Sequence, residues 1–165
     1  MNTRKLFQGI ICLFSFIVLL SLSRSAAAQT IPPFRMQLTN GKIFTWQNLS
    51  KEKPAVIIYF APDCGHCQAL IHGLLQRIND FKKAKIILVS FEPLSMVINF
   101  ERDYKLLSYS NIKCGTEIPT FYFKNLFSLS KTPFTALYNK KGKLIISYRN
   151  ETPVGDLAAH LKNIK

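Results

Sequence analysis

The sequence has few cysteines, and their scarcity limits the kinds of site it can build. Four occur in 165 residues, at positions 12, 64, 67 and 114. A structural zinc site needs four ligands, usually two close pairs, and no second Cys-x-x-Cys or His-x-x-x-His accompanies Cys64 and Cys67. The other candidate ligands are scattered, at His72, Cys114 and His160. The sequence therefore predicts neither a resident metal nor a cofactor.

Acidic residues are also scarce, with 9 Asp and Glu against 22 Lys and Arg. Most basic residues are spread singly, apart from clusters at 82–85 and 140–143. Such a distribution is typical of a soluble surface with basic residues at helix ends. The same excess would attract an acidic partner or an anionic membrane surface. No aromatic-basic binding motif is present, so we expect no nucleic acid partner.

Repeats, low-complexity tracts and a second domain are absent, and the longest apolar run lies near the amino terminus. A short basic stretch, Asn2–Lys5, precedes the apolar run Ile10–Leu22 and three small residues, Ala26–Ala28. This pattern predicts a signal peptide over residues 1–28, which contains Cys12, and a mature domain over 29–165. The alternative is an uncleaved membrane anchor, because the apolar run is only slightly shorter than a membrane span. Either way, we expect an exported protein of the periplasm or cell envelope.

The pattern around the two close cysteines is a buried strand, a turn and an amphipathic helix. Ala55–Phe60 is continuously apolar, as in a strand covered on both faces, and Gln68–Phe81 has helical apolar spacing. Cys67 shares the apolar stripe and should face inward, whereas Cys64 lies at the helix start. Free backbone N–H groups and the helix dipole stabilise a thiolate at that position. Cys64 and Cys67 are therefore the candidate catalytic residues, the first attacking a disulfide and the second resolving it.

The cysteine pair also allows three other interpretations. A structural disulfide between Cys64 and Cys67 would close too small a loop to stabilise the fold much. A domain that binds Cu(I) or another soft metal could use the same thiols, helped by His66 or His72, and is the main alternative. A peroxidase of the peroxiredoxin type would want Thr-x-x-Cys, which Ala61-Pro62-Asp63-Cys64 does not provide.

The rest of the chain has an alternating pattern of strands and helices. Asn40-Gly41 is a strong hairpin signal, and Pro93 can open a helix. The strand–helix–strand unit that contains the cysteines should be right-handed. The predicted elements are a hairpin at 34–46, a strand at 85–91, a helix at 93–107, an extended or loop segment at 109–115, a helix at 117–129, strands at 134–138 and 144–148, and a helix at 153–164.

In this order of elements, residues 34–164 resemble the thioredoxin fold, an α/β fold with a central mixed sheet flanked by helices. More narrowly they resemble the exported TlpA/ResA-type redoxins, which carry an additional N-terminal β-hairpin. The motifs that carry this resemblance are the run from Phe60 to Cys67 and the pair Thr132-Pro133. The resemblance implies thiol–disulfide oxidoreductase activity on disulfide- or thiol-bearing proteins, with a redox partner protein. It also implies a cis Pro133 against the cysteines, with Thr132 and Pro133 holding the substrate chain.

Three residues around Cys64 are expected to modulate it. Gly65-His66 is the dipeptide found in protein disulfide isomerases, and His66 could stabilise the thiolate, whereas Asp63 would oppose it. The chain departs from thioredoxins at Ile58, where they carry a buried Asp, and at Asp63, where they carry Trp. Because that buried Asp is missing, Glu92 is a candidate for the group that accepts the proton of Cys67.

Cys114 is predicted not to be catalytic. A lone small thiol usually serves packing, and nothing around it resembles a redox motif. We expect it on an outer element, away from the carboxyl ends of the central strands. The alternative is a third thiol that accepts a disulfide from the pair or links two chains.

Overall fold

A computed structural model describes residues 30–49 and 51–164, so the predicted signal peptide and its cleavage site lie outside the described residues. No helix among the described residues is long and apolar enough to cross a membrane. The strands are β1 Arg35–Leu38, β2 Ile43–Thr45, β3 Ala55–Phe60, β4 Lys85–Ser90, β5 Ile112–Glu117, β6 Phe134–Tyr138 and β7 Leu144–Arg149. The α-helices are α1 Gly65–Gln76, α2 Leu94–Asp103, α3 Tyr122–Phe127 and α4 Val154–Lys162.

The seven strands form one mixed sheet in the order β2-β1-β5-β4-β3-β6-β7. Strands β3, β4 and β5 are parallel, and the other neighbouring pairs are antiparallel. The predicted architecture, a mixed sheet flanked by helices with an N-terminal hairpin, is confirmed. The hairpin turns at Gly41, whose φ of 81° suits a residue without a side chain.

Two apolar cores cover the two faces of the sheet. Alternate residues of β3 point to opposite faces, so Val56 and Ile58 belong to one core and Ile57 and Tyr59 to the other. The first core contains the inner sides of α1, α2 and α4, and the second contains α3. Every residue of β3 is buried, which explains its unbroken apolar sequence.

The stretch 109–115, expected to be extended or a loop, leads into strand β5, which lies inside the sheet between β1 and β4. The prediction for the segment that follows is wrong. The predicted helix 117–129 is reduced to α3, because Glu117 still pairs with Met36 in the sheet. Pro119 lacks the N–H that a helix interior requires, so the helix begins only after Phe121.

Two other helices are shorter than predicted. The helix expected to run to residue 81 ends at Gln76 and is followed by a 3-10 turn, Ile78–Phe81. The helix expected to reach residue 107 ends at Asp103, because Lys105 takes a left-handed conformation with φ of 53°. Neither difference moves the cysteine-bearing start of α1.

Gly115 of β5 lies directly against the backbone of β1, so we expect Gly115→Ala to destabilise the protein. A Cβ there would overlap the Gln37 carbonyl oxygen and lie 2.8 Å from the Met36 Cε atom. Overpacking against a fixed backbone costs about 3 kcal/mol, which corresponds to a fall in Tm of roughly 6–12 °C. Thermal unfolding of Gly65→Ala is the control, because no atom lies within 4 Å of the added Cβ. An unchanged Tm for Gly115→Ala would contradict the β1–β5 register.

Candidate active site

Cys64 lies at the point where β3 gives way to α1, and the backbone fixes it there. It is the N-cap residue of α1, and its backbone N–H donates to the Ala61 carbonyl oxygen at 3.1 Å. The Gln68 side chain donates to the Pro62 carbonyl oxygen at 2.8 Å and holds the turn against the helix. The partly exposed thiol therefore stands at a rigid helix start.

Cys67 lies one turn further along α1 and is fully buried in the core beneath that helix. Burial, followed by the hydrogen bond to the Cys64 side chain, raises the pKa of the Cys67 thiol to about 12. At neutral pH this thiol is protonated and can act as a hydrogen-bond donor to its neighbour.

The pKa of Cys64 is shifted in the opposite direction. Partial burial alone would raise the pKa of Cys64, but hydrogen bonds from the Cys67 thiol, the Thr132 side chain and the backbone N–H groups of Cys67 and His66 lower it. The Cys67 N–H lies 3.4 Å from the Cys64 sulfur. Because donors surround this sulfur, the thiolate is the favoured nucleophile of the pair.

The Thr132-Pro133 loop closes the other side of the site. Its peptide bond is cis, and the Cys64 thiol donates to the Thr132 carbonyl oxygen at 3.6 Å. The Asn150 N–H donates to the Pro133 carbonyl oxygen at 2.9 Å, and the Arg149 side chain donates to the Phe127 carbonyl oxygen at 2.8 Å. The end of β7 therefore holds this loop beside Cys64.

The three predicted modulating residues lie next to Cys64. Asp63, Gly65 and His66 are all exposed. The backbone N–H of His66 acts on the Cys64 sulfur, whereas the structure gives no contact from the His66 ring or the Asp63 carboxylate to it. The modulating roles of their side chains thus remain predictions.

The geometry does not support Glu92 as the proton acceptor for Cys67. Glu92 is half-buried after β4, and its charge acts on the hydroxyl group of Tyr59, in the core on the opposite face of the sheet from Cys67. Ile58 is fully buried in the same core as Cys67. Cys67 is thus surrounded by apolar side chains and by the polar groups of Cys64, Thr132 and the Ala61 backbone.

Cys114 lies elsewhere than expected. It is buried in β5, an interior strand, where it pairs with Leu88 in the middle of β4. Burial, followed by the charge of Glu101, raises the pKa of this thiol. At 2 % exposure and two strands from β3, roughly 10 Å, Cys114 is a core side chain. Its lack of a catalytic role stays a prediction.

Sequence reasoning missed a buried acid beside the strand that leads to Cys64. Glu117 is 2 % exposed and accepts hydrogen bonds from the Tyr59 hydroxyl and the Phe123 N–H, both at 2.8 Å. Burial raises the pKa of Glu117, and these hydrogen bonds oppose the rise. No local pattern marks the pair, because its members lie 58 positions apart and Glu117 was assigned to a helix.

We expect Glu117→Ala to destabilise the protein by about 3–5 kcal/mol, since it leaves a buried hydroxyl and a buried N–H without their acceptor. Tyr59→Phe removes only the donor and should cost about 1 kcal/mol. Urea unfolding of both variants would measure the difference. Equal losses would contradict this expectation, because they would show that the Phe123 N–H loses nothing when its Glu117 acceptor is removed.

Among residues 30–49 and 51–164, no group of three or more His, Cys, Asp and Glu side chains is placed to hold a metal ion. A soft metal at the cysteine pair would therefore have two protein thiolates as its ligands in this conformation.

The chain was compared with family models, curated proteins and solved structures. The AhpC/TSA family model matches residues 27–159. No curated protein matches the chain. The fold is similar to DsbF of M. tuberculosis, in mixed oxidised and reduced forms, at 18% identity and a TM-score of 0.65, covering 81% of this chain and 96% of that one.

Two further solved structures have the same TM-score of 0.65. One is a secreted Mycobacterium tuberculosis disulfide oxidoreductase homologous to E. coli DsbE, at 17% identity, covering 79% of this chain and 95% of that one. The other is BsSco, of the Sco family of cytochrome c oxidase assembly proteins, at 17% identity, covering 82% and 93%. These likenesses confirm the thioredoxin-like fold, and the family match covers most of the sequence. The chain therefore belongs to the AhpC/TSA family of thioredoxin-like redox proteins.

Proposed function

We propose that this protein is an exported thiol–disulfide oxidoreductase that exchanges disulfides with protein substrates through Cys64 and Cys67. The observation that carries the proposal is the asymmetry of the two thiols. Cys64 is partly exposed with a lowered pKa, whereas Cys67 is fully buried with a pKa of about 12. Cys64 therefore ionises at lower pH than Cys67 and is the attacking thiol, whereas Cys67 stays protonated at neutral pH.

In the first step, the Cys64 thiolate attacks one sulfur of a substrate disulfide. A mixed disulfide forms, the substrate S–S bond breaks, and the other substrate sulfur leaves as a thiolate. The Cys67 thiol and the Thr132 side chain stabilise the attacking sulfur before this step.

In the second step, Cys67 loses its proton and attacks the Cys64 sulfur. The Cys64–Cys67 disulfide forms, the mixed disulfide breaks, and the second substrate sulfur leaves as a thiol after taking a proton. Two electrons have passed from the dithiol to the substrate. A redox partner protein must supply them again, because an oxidising compartment does not keep such a pair reduced.

The loop at Thr132 and Pro133 is proposed to hold the substrate chain during both steps. The sheet pairing of β6 begins at Phe134, so the backbone of Thr132 lies outside the ladder and beside the Cys64 sulfur. A passing substrate segment could pair with this backbone as an added strand does. Asp63, Gly65 and His66 surround the same opening and are proposed to tune Cys64.

Export is proposed from the leader-like residues 1–28 and fits a redox-active disulfide. One structural neighbour is itself described as secreted. The proposed location is the periplasm or cell envelope, and an uncleaved anchor remains the alternative to cleavage.

Insulin reduction in the presence of dithiothreitol tests the function. We expect the protein to speed precipitation of the insulin chains and Cys64→Ser to abolish the effect. Two parallel assays test the other functions, Cu(I) titration of the reduced protein and consumption of hydrogen peroxide. Stoichiometric Cu(I) binding without insulin reduction would replace the proposal by the soft-metal domain, and peroxide consumption alone would replace it by a peroxidase.

A further inference from the structure

The end of the domain opposite the cysteines carries a concentration of lysines. Because β3 and β4 are parallel, the segments that precede them lie at one edge of the sheet, and Cys64 lies at the other. The turn between β6 and β7 joins that first edge, since Tyr138 pairs with Ala55. The lysine end comprises the exposed lysines of these segments and of the end of α4: Lys51, Lys53, Lys82, Lys83, Lys140, Lys141, Lys143 and Lys162.

The lysines of this end form one surface. Lys140 lines three adjoining depressions, which it shares with Lys51 and Lys53, with Lys82 and Lys83, and with His160. The acids on the same surface are Glu52 and Asp80, and Asp80 pairs with Arg77 at 2.8 Å. The lysine end therefore carries a net positive charge.

An exposed tryptophan lies on the same surface. Trp46 is 42% exposed and lines the depression that contains Lys51, Lys53, Lys140 and Lys141. Tryptophan beside lysine is typical of residues at a membrane–water interface, because the ring is apolar with one polar N–H. It is also the single tryptophan of the sequence, so its fluorescence reports on this surface alone.

The chain enters the domain at this end. Thr30 bridges to Lys143, and the Ile31 N–H donates to the Gly142 carbonyl oxygen at 2.9 Å. The apolar stretch Ile10–Leu22 precedes this entry point in the sequence. If that stretch is kept as an anchor, it would hold the lysine end beside the bilayer. In the cleaved protein, lysines beside an exposed tryptophan still complement an anionic lipid surface, which favours lipid over an acidic protein as the partner.

We propose that the lysine end, with Trp46, docks on a bilayer of anionic lipids. Its lysines contact lipid phosphates, and Trp46 enters the headgroup region. Strand β3 has six residues, so the dithiol then stands at least roughly 20 Å from the lipid and faces away from it. The docking does not depend on the redox activity of the cysteines.

The test is quenching of Trp46 fluorescence in residues 29–165, the predicted mature chain, by vesicles of brominated phosphatidylcholine, with and without phosphatidylglycerol. We expect quenching only with phosphatidylglycerol, and its loss in high salt. Each basic residue contributes roughly five-fold to binding. Lys140→Gln with Lys141→Gln should therefore weaken docking roughly 25-fold, and Arg at both positions should restore it.

The matched control is Lys124→Gln with Lys131→Gln. These two lysines lie in and after α3, outside the lysine end, so the control removes the same charge and should leave quenching unchanged. Insulin reduction by each variant checks that it is folded. Equal quenching with and without phosphatidylglycerol, or equal loss in the control, would overturn the proposal. A shift of Trp46 emission by polyglutamate without quenching by lipid would also overturn it, in favour of an acidic protein partner.

Discussion

Cys67→Ser is expected to trap mixed disulfides with protein substrates, whereas Cys64→Ser is expected to trap none. In Cys67→Ser the Cys64 thiolate still attacks, since it keeps the Thr132 contacts and the backbone N–H groups that lower its pKa. The resulting mixed disulfide then persists, because no second thiol is present at the site to break it. Non-reducing electrophoresis of the variants after exposure to an extract of the expression host would show the adducts.

Cys114→Ser is the matched control for both variants, because it removes one sulfur from the core. We expect it to retain insulin reduction near the wild-type rate and to trap no adducts. Loss of most activity in a folded Cys114→Ser protein would give that thiol a catalytic role. Rapid alkylation of Cys67 ahead of Cys64 at neutral pH would reverse the roles of the pair.

The second large effect is on the pH dependence of the two steps. Attack by Cys64 requires its thiolate, and because its pKa is lowered, the rate of the first step should level off once pH passes that pKa. Resolution requires the Cys67 thiolate, whose pKa is about 12. Below that value the thiolate fraction, and with it the rate of the second step, should rise about ten-fold per pH unit.

This difference persists during the reaction because burial, the main cause of the raised Cys67 pKa, does not depend on the charge of Cys64. Stopped-flow release of thiol from a small disulfide by the reduced protein would separate the two steps between pH 6.5 and 8.5. Cys67→Ser should show only the first phase. A second phase independent of pH would reveal a proton acceptor near Cys67, a role for which the structure gives Glu92 no contact.

The parts of the site that follow local rules were predictable from the sequence. The apolar run Ala55–Phe60 and the helical stripe through Cys67 place one thiol inward and the other at the helix start, and the structure agrees. Each inference needs only neighbouring residues and a known periodicity. The Thr132-Pro133 loop came from a family resemblance, since Thr132 lies 65 positions after Cys67 and no local pattern links them.

The region between α2 and β6 was predicted poorly because its structure depends on distant partners. Strand β5 has Lys113 and Thr116 among its residues and lacks the apolar character of β3, β4 and β6. It is a strand because β1 and β4 lie on either side of it. Glu117 was assigned to a helix for the same reason, since its partner Tyr59 is far away in the sequence.

The most direct test of the proposed chemistry is equilibration of the protein with glutathione buffers of known potential, followed by mass spectrometry of the cysteine pairing. We expect one two-electron transition, with a ten-fold change in the equilibrium constant per roughly 30 mV. We also expect a Cys64–Cys67 disulfide in the oxidised protein, with Cys114 still a thiol. A bridge that includes Cys114, or an oxidised protein without a Cys64–Cys67 bond, would contradict the proposed chemistry.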